Sequence, residues 1–187
     1  MIGLAYNDYG GSILYIESSQ SSHLNEGRGE LKVTGQLGDV MKESSMIAQT
    51  YAKNFLNKTF PENEAARNYL ETHNLHIHFP EGAVKKDGPS AGITITSAMV
   101  SLALGKSVPQ DIAMTGEISL NGKVLAIGGV KEKTMAAARE GVKKLIFPKS
   151  NEKDVKDLPD YIKEGITFFF VEDYSDVFKI LFPDVKI

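Results

Sequence analysis

The 187-residue chain contains no cysteine and no tryptophan, and none of its four histidines lies beyond residue 78. Without cysteine there is no disulfide scaffold, no thiol nucleophile and no thiolate zinc site, which fits a reducing compartment or an organelle matrix. No apolar run approaches the roughly 20 residues that span a bilayer. The N-terminal stretch also lacks the basic n-region and apolar core of a signal peptide. The formal net charge is only −3, from 21 Lys and Arg against 24 Asp and Glu. Neither nucleic acid nor an anionic membrane is therefore favoured as a partner. What is present is ordinary: 42% hydrophobic and 24% charged residues, the composition of a soluble globular domain. The length suffices for one sizeable core, or for two small lobes sharing one. With no repeat, low-complexity run or linker, residues 1–187 read as a single domain.

Local patterns predict a mixed α/β chain. Residues 13–17 and 30–34 read as strands around a polar loop, 18–29. Asp39 is placed as the N-cap of a helix reaching about Leu56, with Val40, Ser44, Ile47, Tyr51 and Phe55 as its inward stripe. A weaker helix over 62–71 and a short strand over 75–80 follow. A glycine-bearing loop then leads into a helix over 91–104, ended by Gly105. That helix is apolar or small on nearly every face, which predicts a central, buried position. Asn121-Gly122 predicts a hairpin between strands at 111–120 and 123–127. The remainder alternates: helix 131–140 capped by Gly141, strand 144–147, short helix 151–158, strand 166–171 and helix 174–182.

Chemistry concentrates at Lys86-Asp87-Gly88-Pro89-Ser90-Ala91-Gly92 and at Gly128-Gly129-Val130-Lys131-Glu132-Lys133. Ser90 lies at a loop-to-helix junction. As an N-cap there, its hydroxyl would sit among unsatisfied N–H groups at the positive end of the helix dipole. Such a field favours an alkoxide and a developing oxyanion. A serine nucleophile also needs a base. Lysine can serve only as the free amine, so burial must lower its ordinary pKa of about 10.4. Lys131 and Lys133 stand two apart on a helix and point to different sides, so only one can face Ser90. A bare helix cap and a solvated lysine are the ordinary alternatives.

Gly88-Pro89-Ser90-Ala91-Gly92 also fits the nucleophile-elbow pattern, but no strand runs into the serine and no histidine follows it. His76 and His78 share one face of a short strand; they could hold a metal or supply a base, but no third ligand stands out. Gly105-Lys106-Ser107 lacks the first glycine of a P-loop and ends a helix rather than opening one.

The Lys-Asp-Gly-Pro-Ser and Gly-Gly-Val-Lys-Glu-Lys runs resemble the Ser–Lys dyad motifs of the Lon protease family, 43 residues apart from Ser90 to Lys133. Segments 35–44, 76–83 and 113–120 resemble Lon segments in the same order, and residues 1–29 do so more weakly. The resemblance implies the Lon protease-domain fold, mixed α/β, similar to ribosomal-protein modules, with mixed sheets and a central helix after the nucleophile. It also implies a serine endopeptidase in which Ser90 attacks and Lys133, rather than Lys131, is the base. Thr115 would orient the lysine amine, and Asp87 would pair with that amine in resting conformations. Glu117 is expected on the same face as Thr115. A carboxylate beside Lys133 would raise its pKa, so a structural or subunit-contact role is expected instead. His76 and His78 are expected to hydrogen-bond within the sheet beside the site.

No cofactor or metal is implied in this domain; ATP and Mg belong to an ATPase module that the family carries upstream. By resemblance the partners are unfolded protein substrates and a homo-hexameric ring, with no membrane or nucleic acid contact. The location would be the mitochondrial matrix, with the bacterial cytoplasm as the alternative. A catalytically silent ring-closing domain and an RNA-binding module are the rival readings. The intact Ser90/Lys133 pair opposes the first, and the acidic balance opposes the second.

Overall fold

The computed structural model describes residues 1–23 and 28–186. In chain order it contains β1 (Ile2–Asn7), β2 (Gly10–Tyr15), β3 (Glu17–His23), β4 (Leu31–Thr34), α1 (Asp39–Thr59), α2 (Glu64–Thr72) and β5 (His73–His78). Next come α3 (Gly92–Leu104), β6 (Ile112–Met114), β7 (Glu117–Ile118), β8 (Val124–Leu125), α4 (Val130–Arg139) and β9 (Lys144–Pro148). The chain ends through α5 (Glu152–Lys156), α6 (Asp160–Lys163), β10 (Thr167–Val171) and α7 (Tyr174–Leu181). A five-stranded sheet runs β10-β9-β6-β1-β2, parallel except for the β1–β2 hairpin. A three-stranded sheet runs β3-β5-β4, and β7–β8 form a separate short ribbon. The mixed α/β expectation holds.

Parallel strands need both faces covered, and the sequence supplies two apolar sets at a spacing of two. Ile112, Met114 and Ile146 join the core on the α3 side. Ala113, Leu145 and Phe147 join Val130, Ala137 and Val142 on the α4 side. Helix α3 is buried at every position from Gly92 to Val100, as its all-round apolar pattern predicts. Two of its hydroxyls are absorbed internally: Thr96 Oγ1 donates to Gly92 O at 2.9 Å, and Ser97 Oγ to Ile93 O at 2.7 Å, whereas the buried Thr94 Oγ1 has no partner among the described residues. Ser97 Oγ also meets the fully buried Tyr174 hydroxyl at 3.0 Å, tying α7 to the central helix.

Several expectations are corrected. Strand β1, inserted between β6 and β2, was not anticipated, and α6 was not either. Residues 18–23 of the expected polar loop are strand β3. Its side chains are almost all exposed, so it pairs with β5 through backbone hydrogen bonds and shows no apolar alternation. The loop's residues 24–27 lie outside the described residues. Helix α1 is capped by Gly38 rather than Asp39, and Val40 is exposed; the inward stripe starts one residue later, at Met41, and continues through Ser44, Ser45, Ala48, Ala52, Phe55 and Leu56. The predicted long strand 111–120 is broken after Met114. There Gly116 N donates to Ser90 O at 2.8 Å and Gly116 O accepts from Ile93 N at 3.1 Å. The chain leaves the sheet to bind the start of α3, so only Glu117–Ile118 and Val124–Leu125 remain for the hairpin.

Candidate active site

Ser90 sits half-buried in the turn that enters α3. The N-cap of α3 is Ala91, and no side chain caps that helix; the expectation that Ser90 is the cap is corrected by one residue. The hydroxyl is thus not spent on capping, and Ser90 Oγ makes no hydrogen bond among the described residues. The N–H groups of Ser90 and Ala91 likewise have no acceptor there, whereas Gly92 N is bonded to Pro89 O at 3.1 Å. The serine carbonyl is pinned by Gly116 N at 2.8 Å and more loosely by Thr115 Oγ1 at 3.4 Å.

Lys133 lies in the second turn of α4 and has no exposed surface, whereas Lys131 is exposed. The helix therefore separates the two lysines as their spacing requires. Lys133 Nζ donates to Thr115 Oγ1 at 3.0 Å. Thr115, itself fully buried, passes its own proton toward Ser90 O. One hydroxyl thus links the amine to the serine main chain. Burial pulls the Lys133 amine down from 10.5 to about 8. The Tyr6 ring, carried on β1, lies 5.5 Å from Nζ and covers Gly128 and Gly129. A side chain at either glycine would collide with that ring.

Ser90 and Lys133 open onto one cavity of about 410 Å³, walled by Ala5, Tyr6, Asp87, Gly88, Pro89, Ala126, Ile127 and Gly128. Asp87 borders it but does not touch the lysine. Its Oδ1 accepts from Gly88 N at 2.9 Å and from Met41 N at 3.0 Å, so it caps α1 from across the site. Those main-chain donors, Gly88 first, hold the carboxyl below its usual range. The contact requires Gly38, because a Cβ there would lie 2.2 Å from the Asp87 carboxylate.

The structure does not bring the other three candidates together with Ser90 and Lys133. Because the strand breaks at Gly116, Glu117 does not share a face with Thr115. It lies half-buried beside Val40, Glu43, Ser44, Ile47 and Pro89, in a separate recess of about 120 Å³. His76 Nε2 and His78 Nδ1 both bond Thr34 Oγ1, at 2.8 and 2.7 Å. A hydroxyl carries one proton, so it donates to one ring and accepts from the other. No group of three metal-ligating side chains occurs among the described residues. Sequence reasoning missed Tyr6 because it missed β1; the alternation of Ile2, Leu4 and Tyr6 was the available signal. It also passed over Lys86, which a charged loop does not distinguish from a solvated side chain.

Residues 1–184 match the family described as the Lon protease (S16) C-terminal proteolytic domain. The "Lon protease homolog, mitochondrial" of Drosophila melanogaster is 54% identical over 193 residues, covering 99% of this chain and 18% of that protein. Its Mus musculus counterpart is 54% identical, covering 98% of this chain and 19% of that protein. The Homo sapiens protein is 50% identical with the same coverages, 98% and 19%. The chain thus spans about a fifth of the length of the curated relatives it matches. A family match over almost every residue, on a chain whose mixed α/β fold brings the two motif residues to one cavity, places this chain among the Lon protease C-terminal proteolytic domains.

Proposed function

We propose that the chain works as one serine endopeptidase domain, with Ser90 as nucleophile and Lys133 as general base. The observation that carries this reading is a lysine with no exposed surface, its amine lowered to about 8, opening with a half-buried serine onto one cavity. Near that pH a large fraction of the amine is neutral. One of its N–H groups is anchored on Thr115 Oγ1, which leaves the lone pair two positions on the nitrogen.

Ser90 Oγ adds to the peptide carbonyl as its proton passes to Lys133 Nζ. The unspent N–H groups of Ser90 and Ala91 are main-chain donors available to the oxyanion, and the start of α3 adds its positive potential. Lys133 returns the proton to the leaving amine, which departs and leaves a Ser90 ester. Water, deprotonated by the same lysine, then hydrolyses the ester and regenerates the serine. By family membership, ATP and Mg act in an upstream ATPase module, the assembled form is a homo-hexamer, and the substrates are unfolded proteins. The relatives named as mitochondrial favour the mitochondrial matrix as the location.

A fluorophosphonate probe and a fluorogenic peptide test the assignment together. The probe is expected to label Ser90, as located by peptide mapping, and Ser90→Ala is expected to lose both labelling and turnover. Labelling elsewhere, or turnover retained in Ser90→Ala, would overturn it. Asp87 is proposed as the gate: released from α1, its carboxylate could pair with Lys133 and keep it protonated. Asp87→Asn retains an acceptor for the α1 amides, so its melting temperature is expected to change little. Its peptidase rate near neutral pH is expected to rise. An unchanged or lower rate counts against gating.

A further inference from the structure

Lys86 is the other buried lysine among the described residues, with 9% of its surface exposed. It meets no carboxylate among the described residues. Its Nζ donates to the main-chain carbonyls of Gly35 at 3.0 Å, Glu81 at 2.9 Å and Val84 at 3.0 Å. Three donors find three acceptors, the condition under which a buried ammonium is tolerated. The backbone is held as well: Lys86 N donates to Gln36 O at 3.0 Å, and Gly38 N donates to Lys86 O at 2.8 Å.

Gln36 and Glu81, with φ of 59° and 67°, are the two non-glycine residues in the left-handed region among the described residues. Both belong to this network, because Gln36 O accepts from the Lys86 amide and Glu81 O from its amine. Backbone of this kind persists only where its surroundings over-determine it. The next residue, Asp87, reaches across to Met41 N, and Ser90 follows three residues later.

We infer that Lys86 is a positioning residue for the dyad. Its ammonium clamps the loop from Glu81 to Gly88 against the segment Gly35–Gly38. The clamp keeps the Asp87 carboxylate on α1 and away from the Lys133 amine, so Ser90 faces a base free to accept its proton. The inference rests on the Ser90–Lys133 reading and on Asp87 as the gate.

The test compares fluorophosphonate labelling of Ser90 near pH 8 in the parent, Lys86→Met, Asp87→Asn and the double variant, with melting temperature measured for each. Lys86→Met keeps the aliphatic stem and removes the charge and all three donors. Labelling is expected to fall on the order of a hundredfold, the scale of about 1 Å of misplacement at a reacting centre. In the double variant labelling is expected to recover at least about tenfold, a coupling that a double-variant cycle isolates, while the melting temperature stays low. Lys86→Arg covers the case in which Lys86→Met does not fold. Its planar fork cannot meet three converging carbonyls, and Asp87→Asn is expected to restore its labelling as well. Unchanged labelling in Lys86→Met, or rates that follow melting temperature with no recovery in the double variant, would overturn the inference. A parent unlabelled at Ser90 would overturn the dyad reading, and this inference with it.

Discussion

Replacing Lys133 with methionine is expected to abolish most peptide hydrolysis and to make the protein more stable. Loss of a general base costs about 10²–10⁴-fold in rate. The stability gain follows from proton binding. Lys133 holds its proton with a pKa of about 8 when folded against 10.5 as the unperturbed value, and burial is the cause. Between those values the unfolded chain binds more protons than the folded one, so stability rises with pH across that window. Below about pH 8 the whole penalty is present, roughly 3 kcal/mol. Methionine fills similar volume with no charge to desolvate. It forfeits the bond to Thr115 Oγ1, worth about 1 kcal/mol.

The net expectation near pH 7 is therefore about 2 kcal/mol of added stability, or roughly 4–8 °C in melting temperature for a chain of this size. The gain should shrink as pH rises from 8 and turn into a loss of about 1 kcal/mol above 10.5, where the lysine is neutral in both states and only the missing bond to Thr115 Oγ1 remains. In the parent, hydrolysis should rise with pH through an apparent pKa near 8 and fall away below it, since only the neutral amine accepts the serine proton. A variant that melts lower at pH 7, or a rate flat from pH 6 to 9, would show that the amine is not held as burial implies.

This residue also shows how far the sequence could be read. Helical spacing established that Lys131 and Lys133 diverge, but not which one turns inward. That depends on β1 and β2 lying against α4, and β1 left only a faint alternation in a segment broken by Gly3. The all-apolar face of α3 was legible because one sequence stretch carries it entirely. The break after Met114 was not, because its cause, the pairing of Gly116 with Ser90 and Ile93, joins positions about 25 residues apart. The shift of the α1 stripe from Val40 to Met41 has a similar origin: Asp87 supplies the cap that Asp39 was expected to provide. Turn chemistry and periodicity are local and were readable. Caps and partners borrowed across the fold were not.

Gly11→Ala is expected to disable the site from a strand that contributes nothing to the chemistry. A Cβ on Gly11 would lie 2.0 Å from Glu132 O, 2.5 Å from Glu132 C and 3.1 Å from Lys133 N. All three are main-chain atoms of the α4 turn that carries Lys133, so no side chain can rotate out of the way. Either β2 or α4 must move, and overpacking of this kind costs about 1–3 kcal/mol. Displacing α4 by about 1 Å takes Lys133 Nζ off Thr115 and lets water reach it, so kcat should fall by about 10²-fold. The apparent pKa of the rate should climb from near 8 toward 10.5 as the amine regains hydration.

Gly10→Ala is the control, one residue away. Gly10 has φ of 127° and nothing within 4 Å of the position its Cβ would take. An alanine there strains the turn without pushing on α4, so stability should drop while kcat and its pH profile stay put. If both variants lose activity together, the effect is a general loss of stability. If Gly11→Ala alone shifts the pH profile, the close contact between β2 and α4 is what sets the lysine in place.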